Sequence, residues 1–138
     1  MATILEIAAL DKNLSIMMKA LKAAGVDSSL TGIGPFTILA PINLVFGKMK
    51  SPDTYDQLMG QIGKTTRMAD VMNCHILKGK KLLRDFRDGQ KIPNIFGTEL
   101  LVSVKDDEVR VNGARILTKD RQGSNGVVHS IDAVQIPA

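Results

Sequence analysis

The chain has 138 residues, of which 44% are hydrophobic and 23% are charged, and its formal net charge is +4. This length suits one domain with its own core, and the composition excludes an intrinsically disordered chain. No stretch approaches the roughly 18 consecutive apolar residues of a membrane-spanning helix. No secretion signal is visible, and the single cysteine, Cys74, excludes an intramolecular disulfide. We therefore expect one monomeric domain over residues 1–138 that does not insert into a membrane.

The first part of the chain has the pattern of helices. Thr3 and Glu6 are spaced as a capping box, in which each side chain accepts a hydrogen bond from the other's backbone N–H. A second helix is predicted over residues 14–24, and Gly25 is expected to end it. Asn13 begins the glycosylation sequon Asn-Leu-Ser, but its place before the helix favours a role as N-cap.

The middle of the chain mixes one strand with short helices. Residues 36–40 are an apolar run between Gly-Pro and Ala-Pro, which indicates a short buried strand. A turn is predicted at residues 27–30. Helical segments are predicted near residues 44–46, 54–60 and 65–72.

The last part of the chain changes to the period of strands. Residues 100–105 alternate apolar and polar side chains, and Asp106-Asp107 then turns the chain into residues 109–111. Asn112-Gly113 is the next predicted turn. Further strands are predicted at residues 114–117 and 127–131. Helices followed by antiparallel strands indicate an α+β fold.

Two segments far apart in the sequence carry a resemblance to a known family. Residues 34–43 and residues 125–132 are similar to the two signature segments of the fasciclin domain, an extracellular adhesion module. Residues 71–79 are similar to the family segment that contains Tyr-His, with Cys74 at the position of the tyrosine. The resemblance implies N-terminal helices packed on a wedge-like antiparallel β-sandwich.

Eight residues in these segments are predicted to support the fold. The resemblance assigns His75 to the core, where its ring nitrogens would bond to backbone or hydroxyl groups. His129 shares a strand face with apolar neighbours, Asn125-Gly126 would form the tight backbone before the last strand, and Asp132 would anchor its end. The full set is Thr37, Pro41, Asn43, His75, Asn125, Gly126, His129 and Asp132.

Motifs of catalysis and metal binding are incomplete in this sequence. Gly63-Lys64-Thr65 resembles the end of a phosphate-binding loop, but the glycine that the motif needs five residues earlier is Leu58, which favours a helix start. Cys74 and His75 are adjacent, and in an extended strand their side chains would point to opposite faces. Two histidines and one cysteine do not make a zinc site, and Asp106-Asp107-Glu108 offers too few ligands for calcium. We predict no catalytic residue, no cofactor and no metal.

The predicted contact surface is the loop over residues 118–124. It contains Lys119, Asp120, Arg121 and Gln122 without a large apolar side chain, so we expect it to be independent of the core. The alternative is that Asp120 caps a local turn and supports stability instead of binding. Some family members bind integrins through an Asp-Ile dipeptide here, but Arg121 follows Asp120, so the resemblance does not extend to integrin recognition. Residues 48–91 are net basic and could attract nucleic acid, anionic lipid or acidic polysaccharide. Their mixed charges without interleaved aromatics favour a solvated surface instead.

The resemblance implies a noncatalytic adhesion or matrix-interaction module that is secreted or displayed at a cell surface. The expected partner is a cell-surface protein or an acidic carbohydrate. The alternative is a small-ligand or enzymatic domain that uses a groove between helices and sheet, which would need convergent polar groups in a pocket.

Overall fold

The computed structural model describes residues 3–26, 30, 34–43, 68–118 and 120–133. The predicted helices at residues 44–46 and 54–60, most of the turn at residues 27–30, Gly63-Lys64-Thr65 and Lys119 lie outside the described residues.

Two helices open the described structure. Helix α1 spans Ile4–Leu10, and the predicted capping box is confirmed: Thr3 Oγ1 accepts from the Glu6 N–H at 3.2 Å, and Glu6 Oε1 accepts from the Thr3 N–H at 3.2 Å. After a short 3₁₀ turn at Lys12–Leu14, helix α2 spans Ser15–Ala24. Gly25 ends α2 as predicted, with a left-handed φ of 74°.

The start of α2 is capped from a distant part of the chain. The prediction that Asn13 caps this helix was wrong, because Asp11 caps the 3₁₀ turn and its Oδ1 accepts from the Asn13 N–H at 2.8 Å. Asn43 instead accepts from the Ile16 N–H at 2.9 Å through Oδ1. Its amide nitrogen donates to the Lys12 carbonyl and to Ser15 Oγ, each at 2.8 Å. Asn43 thereby joins the end of the first strand to the start of α2.

The first sheet has the strand order β2–β1–β8–β7. These strands are β1 (Phe36–Pro41), β2 (Ile76–Lys78), β7 (Arg121–Gly123) and β8 (Gly126–Ile131), and a short helix α3 (Met68–Asn73) precedes β2. Strand β1 is antiparallel to β2 but parallel to β8, a pairing that the antiparallel prediction missed. Side-chain alternation has the same period in both kinds of pairing, so it does not reveal strand direction.

The second sheet has the order β3–β4–β5–β6 and is antiparallel throughout. Its strands are β3 (Lys91–Pro93), β4 (Glu99–Lys105), β5 (Glu108–Val111) and β6 (Ala114–Arg115). Both predicted hairpin turns are present. Asp106 and Asp107 have φ angles of 51° and 65°, and Asn112 and Gly113 have 48° and 83°, as the tightest hairpin turns require. The α+β class predicted from the sequence is confirmed.

The first sheet lies between two apolar layers. Ile38, Ile76 and Val128 pack against the helices, whereas Leu39, Leu77 and Ile131 pack against the second sheet. Strands β1 and β8 are consequently buried on both faces, which explains their nearly continuous apolar runs. None of the helices in the described residues is long and apolar enough to cross a membrane.

Candidate functional site

A β-bulge interrupts the strand that precedes β8. Ile116 faces Ile131 and Arg121 faces Val128, so the first strand has two more residues between these pairs than β8 has. Asp120, whose N–H donates to His129, has a left-handed φ of 56°. We call Leu117, Thr118 and Asp120 the bulge. The prediction of a surface loop over residues 118–124 was therefore wrong in part, because Arg121–Gly123 is strand β7.

His129 lies beneath the bulge and is fully buried. Its Nδ1 accepts from the Asp120 backbone N–H at 3.1 Å, and its Nε2 lies 2.6 Å from the Lys81 carbonyl oxygen. A carbonyl can only accept, so Nε2 carries the proton and the ring is neutral. Burial lowers the pKa of His129, while the Lys81 carbonyl and the Asp120 carboxylate act in the opposite direction. The ring also makes an edge contact with Phe86, with 5.8 Å between centroids.

Three side chains hold the segment at residues 79–85, which we call the 79–85 loop. Asp120 Oδ1 accepts from the Leu83 N–H at 2.7 Å. Thr37, buried in β1, donates from Oγ1 to the Gly79 carbonyl at 2.7 Å and accepts from the Lys81 N–H at 2.9 Å. With the bond from His129, these contacts fix the loop directly beside the bulge.

Arg121 connects the bulge to the helical layer. Its guanidinium forms an ion pair with the carboxylate of Asp11, which ends α1. Asp120 and Arg121 therefore both make contacts across the fold, and the expectation that they are independent of it was wrong. Their partners, Leu83 and Asp11, are 37 and 110 residues away in the sequence, so no local pattern could reveal them. Gln122 is exposed on β7.

Asn125 joins three parts of the fold. Its Oδ1 accepts from the Ile4 N–H at 3.0 Å, its Nδ2 donates to the Leu30 carbonyl at 2.8 Å, and its own carbonyl accepts from the Phe36 N–H at 2.9 Å. Gly123 pairs with Gly126, so Ser124 and Asn125 are the two turn residues between β7 and β8, and Gly126 is the first residue of β8.

Gly126 is required by a close approach of two strands. A Cβ atom at this position would lie 1.9 Å from the Phe36 carbonyl oxygen, and the φ of Gly126 is 154°. The parallel pairing of β8 with β1 therefore needs a residue without a side chain at this point.

Cys74 and His75 lie in the turn between α3 and β2, and not in an extended strand as predicted. His75 is fully buried, and its Nδ1 donates to the Val71 carbonyl of α3 at 2.8 Å. Burial lowers the pKa of His75 to about 4 and raises the pKa of the Cys74 thiol to about 11. A thiol with a raised pKa is a poor nucleophile.

The remaining predicted structural residues lie around the ends of the central strands. Asp132 accepts from the Arg115 N–H at 2.7 Å through Oδ1, and its own N–H donates to the Arg115 carbonyl at 3.1 Å. These bonds connect the end of β8 to β6 of the second sheet. Pro41 is the buried last residue of β1, opposite Ile131 of β8.

A groove of about 510 Å³ lies between α1 and α2. Its walls are mainly apolar, with Leu5, Ala9 and Met18 below the exposed Lys19 and Lys22. The alternative prediction placed a ligand groove between helices and sheet, whereas this groove lies between two helices. No group of three or more histidine, cysteine or acidic side chains that could hold a metal ion occurs in the part of the chain that the structure describes.

The sequence and the fold both match known proteins. The fasciclin-domain family model matches residues 12–137. Protein sll1483 of Synechocystis is 32% identical over 98% of this chain and 73% of its own length. Transforming growth factor-beta-induced protein ig-h3 of Sus scrofa is 31% identical over 96% of this chain, which spans only 19% of that relative. A FAS1 domain pair from the insect cell adhesion molecule fasciclin I has the same fold, with a TM-score of 0.78 and 16% identity over 99% of this chain and 51% of that chain. This chain belongs to the fasciclin domain family.

Proposed function

We propose that the domain is a noncatalytic adhesion or matrix-interaction module, secreted or displayed at a cell surface. Its contact surface is formed by the bulge, the adjoining residues Arg121 and Gln122 of β7, and the 79–85 loop. We call this the bulge–loop surface; its candidate contact residues are Lys80, Lys81, Arg84, Lys119, Asp120, Arg121 and Gln122. The observation that carries the proposal is the 2.7 Å bond between Asp120 Oδ1 and the Leu83 N–H, which unites two segments with exposed polar side chains.

The hydrogen bonds beneath this surface support a role in recognition. Thr37, His129 and Asp120 hold the 79–85 loop in place through the bonds described above. A surface that is already ordered loses little conformational entropy when a partner binds. The relationship to a cell adhesion molecule of the same fold agrees with this role.

The charges of the bulge–loop surface favour an acidic carbohydrate as the partner. Lys80 and Arg84 are exposed, and among the described residues neither forms an ion pair. The nearby carboxylates of Asp85 and Asp120 accept backbone N–H bonds from Leu82 and Leu83. Backbone donors thus partly compensate the two carboxylates, and the cations of Lys80 and Arg84 remain available to bind sulfate or carboxylate groups.

Affinity chromatography on immobilised heparin tests this proposal. Lys80→Glu with Arg84→Glu should elute at clearly lower salt than the wild type. The matched control is Lys19→Glu with Lys22→Glu, which makes the same change in net charge on exposed positions of α2. The control should elute close to the wild type, because screening limits the effect of distant charges. If both double variants elute at equally lower salt, retention reflects only net charge, and the proposed surface is refuted.

Attachment of cells to surfaces coated with the same variants extends the test to adhesion. The Lys80/Arg84 variant should support less attachment than the Lys19/Lys22 variant. If attachment falls instead after Gln122→Ala but not after the charge reversals, the partner contacts the surface through polar groups, and a protein replaces the acidic carbohydrate.

A further inference from the structure

His129 joins the bulge to the 79–85 loop through two hydrogen bonds, of which the bond from the Asp120 N–H can form only while the ring is neutral. The Lys81 carbonyl requires a proton on Nε2, and the Asp120 N–H requires an unprotonated Nδ1. A protonated ring carries hydrogen on both nitrogens. Nδ1–H would then face the Asp120 N–H, donor against donor, and this hydrogen bond would be lost.

The side-chain carboxylate of Asp120 is the hydrogen-bond acceptor that a protonated His129 ring would prefer. Its carboxylate accepts from the Leu83 N–H at 2.7 Å, while its backbone N–H donates to His129. A carboxylate forms a stronger, charge-assisted bond with an imidazolium than with a neutral amide. Turning the carboxylate towards Nδ1–H would release the Leu83 N–H, so each protonation state of His129 favours its own bonding arrangement.

The charged surroundings of His129 are simple. Asp120 is the acidic group that acts on the ring, and it favours the protonated form. The elements packed around the ring contribute Leu39 from β1, Phe86, and the Lys81 carbonyl of the 79–85 loop. Arg121 follows Asp120 but lies opposite Val128, and it pairs with Asp11 on the helical side of the sheet. The Arg121 charge is already compensated by Asp11, and Leu39 and Phe86 are apolar.

We propose that His129 is a positioning residue that makes the bulge–loop surface sensitive to acid. At neutral pH the ring couples the bulge to the 79–85 loop. When the ring becomes protonated, its Nε2–H keeps the Lys81 carbonyl, but the Asp120 N–H and the Leu83 N–H both lose their present partners. The direct bond between the bulge and Leu83 is then broken, and the bulge–loop surface rearranges. The coupling is argued from the hydrogen bonds alone, whereas its consequence for attachment rests on the proposed function.

The coupling can be measured by NMR without any partner. The ring of His129 and the amide groups of Asp120 and Leu83 should change together as the pH falls below 6.5, the ordinary pKa of histidine. The protection of both amides against hydrogen exchange, corrected for the intrinsic rate, should fall by about tenfold, which corresponds to the loss of one hydrogen bond. Amides that do not respond when His129 titrates would overturn the proposal.

His129→Gln is the main variant. A glutamine amide can accept from the Asp120 N–H and donate to the Lys81 carbonyl, but it does not titrate. The pH response of the Asp120 and Leu83 amides should disappear in this variant and persist in the control His75→Gln, which removes the other histidine. A response that persists in His129→Gln would overturn the proposal.

Asp120→Asn provides a second variant at an exposed position. The asparagine keeps an oxygen for the Leu83 N–H, and it tolerates the left-handed φ at this position. It lacks the negative charge that favours a protonated ring, so His129 should titrate at a lower pH than in the wild type. An unchanged titration midpoint would contradict the role of the Asp120 carboxylate.

Heparin retention at pH 7.5 and at a pH below the His129 titration midpoint found by NMR separates this inference from the proposed function. The wild type should lose retention on acidification relative to His129→Gln. If the amides respond to His129 but retention does not depend on Lys80 and Arg84, the coupling through His129 is supported and the proposed contact surface is refuted. If retention depends on Lys80 and Arg84 while the amides do not respond, the contact surface is supported and the coupling is refuted.

Discussion

The buried ring of His75 should make the free energy of unfolding depend on pH. Its pKa is about 4 in the folded protein and 6.5 in its ordinary, exposed state, because burial disfavours the charged ring. As the pH falls below 6.5, the unfolded state therefore binds a proton before the folded state does. The stabilisation from keeping His75 neutral is complete above pH 6.5 and is lost as the pH falls towards 4.

The size of this effect follows from the difference between the two pKa values. Proton linkage predicts a loss of about 2 kcal/mol between pH 7 and pH 5, and about 3 kcal/mol by pH 4. Such a change is a large part of the stability of a small domain. His129 has a lowered pKa as well and contributes in the same direction, so the share of His75 has to be isolated.

Urea denaturation of the wild type and of His75→Gln at pH 7, 6 and 5 isolates that share. The variant should lose less stability over this range than the wild type, by about 2 kcal/mol. NMR titration gives a direct check, because the chain has only two histidines and either variant assigns both rings. A His75 ring that titrates near 6.5, or equal pH dependence in wild type and variant, would refute the reasoning.

Two further substitutions test the packing around the site. Gly126→Ala should lower the free energy of unfolding by on the order of 3 kcal/mol or more, because its methyl group meets the Phe36 carbonyl. Gly89→Ala has no atom within 4 Å of the new Cβ and should lower it by about 1 kcal/mol through its positive φ. Equal losses would contradict the close approach at Gly126. Asn43→Ala should lower the free energy of unfolding by about 1–2 kcal/mol through loss of the cap of α2, while the exposed Asn13→Ala should change it little. Thermal unfolding of each pair provides the comparison, and a larger cost at Asn13 would overturn the assignment of the cap.

Features that depend on neighbouring residues were predictable from the sequence. The capping box of Thr3 and Glu6, the end of α2 at Gly25 and the two hairpin turns each involve groups within a few residues of one another. Their chemistry is set by local backbone preferences, and a short pattern is enough to identify them. The resemblance of the two signature segments likewise identified the family and the α+β class before any contact was known.

The candidate site depended on contacts between distant residues. The bond from Asp120 to Leu83, the pair of Arg121 with Asp11 and the cap that Asn43 provides all join segments that no local pattern relates. The polar residues after Thr118 indicated a free loop, because a bulge with bonded carboxylate and guanidinium groups has the same composition as an exposed turn.

The sequence by itself determined the local elements, the apolar faces and the family of this domain, because each of these follows from residues that are close together or from their type. The tertiary structure decided the parallel pairing of β1 with β8, the position of the bulge and the hydrogen bonds of His129. These features depend on hydrogen bonds between segments that are distant in the sequence and meet only in the folded chain. Every buried polar group needs a partner, and the folded chain alone determines which one is within reach.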